Sequence, residues 1–398
     1  MYDIYCFFCN FAEILVNMMN ILNHKFIILG SDHSNTLGQI RCLGEKGIRP
    51  IVIITEKKPF IINKSKYLGE LHIVDNIHEG PRYVLEHYSN EKYPPFIYTD
   101  RDDIMCVIDD YYDELKGKFI FWNAGEKGRI RKLINKEEQM VIAAKCGLNV
   151  IPTEHVKRGE LPKKINYPIF TKATNSLNPF WKANAFICHN DEELKEAYKH
   201  MGVDEVLLQK YILRKDEAPI QGLSIDGGRE VKLYARKSSH RFSPTGFGVY
   251  SSIIRFTDTA IESYIASMIR MIKYTGIFEV ELIEDKNNVT YFLEINFRCT
   301  MSIHAYAEFG YNIPYLFALS TLEGNIPNNS YCKMEDRDYR MMMELEDLKE
   351  SVLQGNVSLW KWLKDFIHAD SYLYIDRNDM NPFYSLIWHK IINKITGK

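Results

Sequence analysis

Between residues 277 and 298 the sequence reads IFEVELIEDKNNVTYFLEINFR, two alternating stretches on either side of Asn287 and Asn288. Period-two alternation is the pattern of a half-buried strand, and asparagine tolerates the positive φ that a two-residue hairpin turn requires. A turn centred on that pair sets Glu281 opposite Glu294. Asn296 and Arg298 fall on the same face, and Leu293, Ile295 and Phe297 on the other. Two carboxylates facing each other across a ladder repel. A divalent cation between them removes the repulsion. Carboxylates with an amide oxygen are the hard ligands that Mg²⁺ takes, completed by water and phosphate oxygens. Arg298, with its planar fork of donors, suits those phosphates. The same residues also read as the exposed polar face of an ordinary hairpin.

Several elements must position such a hairpin. KFIILG at 25 to 30 reads as a buried strand, followed by a helix with Leu37, Ile40 and Leu43 on one face and by the strand PIVIIT, a βαβ unit. Gly30 and Gly38 do not have the G-x-G-x-x-G spacing of a dinucleotide site, so this unit is expected to be structural. INKEEQMVIAAKCG opens as a helix on a cap box, Asn135 with Glu138, and stops at Gly147. Lys136 stands in its first turn, next to the positive end of the helix dipole, where an anionic partner best accounts for it. YPIFTKAT predicts a strand carrying Lys172 to a polar loop, and VLLQKYI at 206 to 212 a further buried strand. A helix opening on Asp258 carries Ile261, Tyr264, Ile265, Met268, Ile269 and Ile272 at helical spacing and is expected to end at Gly276.

With these elements in order, the hairpin ending in LEINFR resembles the metal-binding end of the ATP-grasp superfamily, over about residues 25 to 330. The resemblance implies an α/β and α+β fold. A Rossmann-like lobe (25–130) precedes a two-lobed ATP-grasp domain (131–330), with an N-terminal arm (1–24) and a small helical cap (331–398). It implies ATP and Mg²⁺ as cofactors, with Glu281, Glu294 and Asn296 as metal ligands. Arg298 and Lys172 become the catalytic pair at the transferred phosphate. Lys136, Lys172 and Lys182 become phosphate ligands, Gln209, Lys210, Tyr211 and Ile212 the adenine hinge, and Glu217 the ribose acid. The loop after Lys172, TNSLNPFWKAN, lacks the glycines common in the superfamily, so Asn175, Ser176 and Lys182 are expected to supply donors there. That loop, FSPTGFGVYSS and IDRNDMNPF are similar to the D-aspartate ligase branch. Lys232, Arg236 and Arg241, just before the hairpin, are then expected to hold substrate carboxylates.

The activity implied is ATP-dependent carboxylate–amine ligation through an acyl phosphate, with release of ADP and phosphate. The small-molecule acid could be an amino acid or a uronic acid from a cell-surface glycan or peptide precursor. Alternatives are a bicarbonate-using carboxylase and a nucleotide-binding protein without turnover. No Ser-His-Asp or Cys-His arrangement offers a covalent nucleophile. With 50 basic and 52 acidic residues the chain has no broad footprint for nucleic acid. Eight scattered cysteines point to a reducing, cytoplasmic setting. Asp3 and Glu13 interrupt the apolar leader, so neither a signal nor an anchor is expected there. The terminal FYSLIWHKIINKI mixes apolar and basic residues at helical spacing, which reads either as a packed cap or as a helix that meets a membrane.

Overall fold

A computed structural model describes residues 20–174, 185–243, 248–327 and 337–396. Runs of β-branched residues make the first sheet: β1 (Phe26–Leu29), β2 (Ile51–Ile54), β3 (Glu70–Ile73), β4 (Phe96–Thr99) and β5 (Ile120–Phe121). All five strands are parallel, in the order β3-β2-β1-β4-β5. The central strands β1, β2 and β4 are buried throughout, as a parallel sheet covered on both faces requires. The helix Ser34–Gly44 follows β1 as the βαβ pattern predicts, with Leu37, Ile40 and Leu43 fully buried. It packs on the helix Ile303–Phe309 at Gly38, where an added Cβ would stand 2.8 Å from Ile303.

A second, antiparallel sheet comprises β6 (Thr153–Lys157), β7 (Ile169–Ala173), β8 (Ile187–Cys188) and β9 (Glu205–Lys210), in the order β6-β9-β7-β8. With the helix Asp191–His200 it encloses a core of its own, built on Ile169, Leu194, Val206 and Leu208.

The third sheet has eight strands: β10 (Arg214–Glu217), β11 (Ile220–Ile225), β12 (Glu230–Phe242), β13 (Gly248–Arg255), β14 (Gly276–Asp285), β15 (Thr290–Asn296), β16 (Tyr339–Met342) and β17 (Ser371–Tyr372). Along β14, β11 and β10 lie end to end on one side and β15 on the other. The outer edge of β15 is covered: Gln139 donates its amide to Ile295 O (3.1 Å) and accepts Ile295 N–H (2.9 Å), and Asn149 O accepts Phe292 N–H (2.8 Å). The tail read as a helical cap thus also supplies two strands to this sheet. Its helices are Glu344–Asp347, Leu359–Ile367 and Asn381–Thr396, with a short π-helical turn at Leu348–Val352.

The largest core joins the first sheet to the third, running from Ile21 to Leu386 through Phe26, Phe278 and Phe317. Ile21 is buried, so the core begins inside the stretch read as an arm. The tail is stitched to the first sheet by Arg41, which is fully buried. It donates Nε to Asp379 Oδ2 (3.1 Å) and Nη2 to the carbonyls of Tyr374 (2.8 Å) and Asp379 (2.9 Å), with Asp376 at 3.5 Å. The helix expected to run to Gly276 ends at Ile272. Lys273 caps it in the left-handed region (φ 55°), and Gly276 (φ 147°) already opens β14.

Candidate functional site

The β14–β15 hairpin sets Glu281 opposite Glu294 and Glu279 opposite Asn296, the register read from the sequence. It arrives there by a different route. Only Asn288 of the asparagine pair has positive φ (60°), in a loop closed by Asp285 N–H to Val289 O (3.0 Å), so the ladder nearest the turn is offset by one residue. An irregularity between Glu281 and Leu282 restores the register. The extra residue is Leu293. Phe292, not Leu293, then takes the buried position opposite Leu282, and Ile295 lies opposite Val280.

On the other face Asn296 donates Nδ2 to Glu281 Oε1 (2.9 Å), and Lys136 forms an ion pair with Glu294. The helix Lys136–Lys145 is capped by Asn135, whose Oδ1 accepts the N–H groups of Glu137 (2.9 Å) and Glu138 (3.3 Å). Gln139, one turn on, straps that helix to Ile295, so the Lys136–Glu294 pair rests on two fixed elements. Arg298 donates Nε to Asp102 Oδ1 (2.9 Å) and lies 3.4 Å from Asn296 Oδ1. Asp102 comes from the first turn of the helix after β4, so the first sheet helps to aim the arginine.

Lys172 reaches the site from β7, and Glu217 lies opposite Ile283 on the face of β14 that carries Glu281. Glu217 is paired with Arg214, and its charge is felt at both Lys172 and Glu281.

The electrostatics follow from burial and crowding. Burial, and after it the charges of Glu294 and Glu279, pushes the Glu281 carboxyl well above the usual range. Burial would raise Glu294 too, but Lys136 and Lys172 hold it low. Burial would lower the Lys136 ammonium, and the Glu294 carboxylate outweighs it, so its pKa is raised. Lys172 is lowered to about 8, by burial and then by the Lys136 charge. Asp102 holds Arg298 above its ordinary value against burial. Burial raises Glu217, opposed by Arg214 and Lys237.

The remaining expectations fare unevenly. In the hinge, Gln209 is buried and donates to Thr153 Oγ1 (3.1 Å), and Lys210 Nζ donates to Asn166 O (3.2 Å). The N–H groups of Lys210 and Tyr211 are bound by Pro152 O and Pro168 O, both at 2.9 Å. Ile212 follows in the connection from β9 to β10. Asn175, Ser176 and Lys182 lie outside the described residues.

The three basic residues assigned to substrate do not gather at the hairpin. Lys232 lies 3.5 Å from Glu262 and lines a separate cavity of about 600 Å³ with Arg229, Arg270 and Ile326. Arg236 is 3.6 Å from Asp216. Arg241 is clamped between Asp347 (2.7 and 2.6 Å) and Asp365 (2.8 Å), a structural ion cluster that leaves it poorly placed to take a substrate.

Sequence reasoning passed over four participants. Glu279 alternates with Glu281 in FEVE and is bonded by Gln221 (2.5 Å) and Thr300 (3.1 Å). Its period-two spacing was a readable signal. Lys237 acts on Glu217 from β12 and was visible only as one more basic residue. Asp102 and Gln139 act through contacts 196 and 156 residues away, for which no local pattern exists.

Comparison with solved structures finds enzymes among the similar chains. The chain is similar to an L-amino acid ligase from Bacillus licheniformis, at 15% identity over 79% of this chain and 78% of that one, TM-score 0.59. It is similar to N5-carboxyaminoimidazole synthetase from Staphylococcus aureus (15%, 83% and 86%, TM-score 0.63), which has also been solved with ADP. A biotin carboxylase from Campylobacter jejuni, solved as a beta-gamma-ATP complex, gives 17%, 78% and 73%, and a TM-score of 0.61. No family model and no curated protein matches the sequence. The likeness bears out a mixed α/β fold shared with these enzymes and does not single out the D-aspartate ligase branch.

Proposed function

We propose that this chain is an ATP-dependent carboxylate–amine ligase that works through an acyl phosphate. The observation that carries the reading is the convergence of Lys136, Lys172 and Arg298 on two facing carboxylates, Glu281 and Glu294, with Asn296 beside them: Lys136 pairs with Glu294, and the charges of Lys172 and Arg298 act on it. Two half-buried like charges at one point of a ladder are unfavourable in the protein alone and become favourable around a divalent ion. The donor set, two carboxylates and an amide oxygen, fits Mg²⁺, held by Glu281, Glu294 and Asn296. Bound there, Mg²⁺ supplies charge screening for the β- and γ-phosphates of ATP.

The chain's own residues do the rest. Arg298, oriented by Asp102, presents its guanidinium to the γ-phosphoryl oxygens. Lys172 has a lowered pKa and becomes fully charged when phosphate arrives. Lys136 remains tied to Glu294 and fixes that carboxylate. The end of β9 and the residues after it, Gln209–Ile212, take adenine and Glu217 the ribose. A substrate carboxylate oxygen attacks the γ-phosphorus as the bond to ADP breaks. An amine then attacks the acyl carbon, phosphate leaves, and the amine gives up a proton. Lys237, whose charge acts on Glu217 from β12, is the cation best placed for the substrate acid. A cell-surface glycan or peptide precursor remains a candidate source of that acid, in a cytoplasmic setting.

The solved ligase and synthetase of the same fold support the reading, and a biotin carboxylase domain from Hydrogenobacter thermophilus, solved with MgADP and bicarbonate, supports bicarbonate as a second choice of acid. The test incubates the protein with Mg²⁺-ATP, hydroxylamine and a panel of amino and uronic acids. The expected result is hydroxamate and ADP in equal amounts. AMP in place of ADP overturns the mechanism. ADP formed only with bicarbonate, without hydroxamate, selects the carboxylase, and no nucleotide turnover with any acid returns the chain to a binding role.

A further inference from the structure

The last part of the chain carries a surface that nucleotide chemistry does not use. Of the eighteen large apolar side chains exposed among the described residues, nine lie between Leu353 and Ile395. Five of them, Tyr384, Trp388, Ile391, Ile392 and Ile395, belong to the helix Asn381–Thr396. Their positions i, i+4, i+7, i+8 and i+11 form one continuous stripe. Trp388 is 66% exposed and Ile395 78%.

The opposite side of this helix is occupied. Pro382 and Leu386 are buried, Phe383 packs on the main core, and Phe60 stacks on His389 with ring centroids 3.8 Å apart. The helix is therefore held along one side and presents the other, about 24 Å long at 1.5 Å per residue. The helix Leu359–Ile367 is built alike. Trp362 is buried with Tyr250 and Met342, while Trp360 (83% exposed) and Ile367 point to solvent.

Charge decides the occupant. The chain has no acidic residue after Asp379, so the helix Asn381–Thr396 carries Lys390 and Lys394 unopposed by any acid of its own. On the other helix Lys361 and Lys364 are exposed or partly exposed, and the single acid, Asp365, is engaged by Arg241 (2.8 Å) and Lys361 (3.7 Å). A second copy of the chain docked by two-fold symmetry would bring the same lysines against their equivalents, with no carboxylate on the helix to meet them. An anionic lipid surface complements both features at once. Tryptophan and tyrosine sit in the headgroup layer, isoleucine enters the acyl boundary, and the lysine stems lie along it with their ammonium groups at the phosphates. No helix among the described residues is long and apolar enough to cross a bilayer, so the contact is one of lying on the surface.

We infer that the helix Asn381–Thr396 docks the protein on an anionic membrane surface through its Tyr384–Ile395 stripe. The inference does not depend on the nucleotide chemistry. The test is co-sedimentation of the full-length protein with vesicles of phosphatidylcholine alone or mixed with phosphatidylglycerol. Binding is expected on the mixed vesicles, weak on the neutral ones, and falling with added salt. Trp388→Ser with Ile391→Ser, and separately Lys390→Glu with Lys394→Glu, should each weaken binding at least ~10-fold. All four side chains are exposed, so the thermal midpoint of each variant should stay at the wild-type value and serve as the folding control. No binding to mixed vesicles overturns the inference, as does equal binding by the variants. A dimer on gel filtration that Trp388→Ser with Ile391→Ser dissociates, without vesicle binding, assigns the stripe to a second copy instead.

Discussion

Two ionic clusters at the third sheet are both at least half-buried, and they are built on opposite principles. Around Arg241 the charges match, two acids against Arg241 and Lys361, which lies 3.7 Å from Asp365. One guanidinium meets Asp347 through two nitrogens and Asp365 through the third, and Ser351 donates to Asp347 Oδ1 (2.7 Å). At the hairpin, Glu281 faces Glu294, Lys172 stands near Lys136, and the pKa values of Glu281 and Lys172 are driven toward their neutral forms. A matched cluster leaves little for a ligand to improve, whereas a mismatched one leaves much. The difference separates a structural charge cluster from a binding one more reliably than residue type does, since arginine and acids occur in both.

The sharpest way to break this comparison is to unbalance the matched cluster. Arg241→Met leaves Asp347 fully buried without its cation, and the fold should lose about 3–5 kcal/mol. Urea denaturation measures it, and nucleotide affinity of the folded fraction should be unchanged. A stability loss under about 1 kcal/mol would show that the matched cluster is not holding the tail.

Relieving the mismatched cluster should do the reverse. Glu281→Gln resembles the protonated state that burial already favours, so the thermal midpoint should hold or rise while turnover falls by about 10²–10³-fold. Turnover at the wild-type level would remove Glu281 from the metal site. Lys172→Met is a smaller perturbation, expected to lower nucleotide affinity or kcat about 10-fold.

The smallest effect is in the pH dependence of stability without nucleotide. Lys172 titrates near 8 in the folded protein against 10.5 for an unperturbed lysine. The unfolded chain therefore binds more protons between those values, and this residue makes stability increase as pH rises through the window. Urea midpoints at several pH values should show a steeper rise in the wild type than in Lys172→Met. Parallel curves would place Lys172 in solvent.

What the sequence disclosed follows the range of the forces involved. The βαβ unit, the Asn135 and Asp258 caps and the hairpin register depend on neighbours a few residues apart, and their signals lie in the sequence itself. Even there the register of Glu281 and Glu294 was reached through two compensating irregularities, a longer loop at Asn288 and the extra residue Leu293, neither of which alternation can reveal. Arg241 shows the limit from the other side. Its proximity in sequence to the hairpin favoured a substrate role, and only the folded tail supplies Asp347 and Asp365, 106 and 124 residues later. Asp102 and Gln139 were hidden for the same reason, as was the entry of β16 and β17 into the third sheet.

The Arg41 tie between the first sheet and the tail also sets a clock. Arg41 and Asp379 are 338 residues apart. At a synthesis rate of about 5–20 residues per second, roughly 20 to 70 s pass on the ribosome before the carboxylate reaches its arginine. Through that interval Ser65 and Lys66, which also bind Asp379 (2.7 and 2.9 Å), lack their partner as well. The earliest sheet in the chain is thus among the last parts to be finished, and a nascent chain stalled anywhere short of its tail presents a first domain with an open seam.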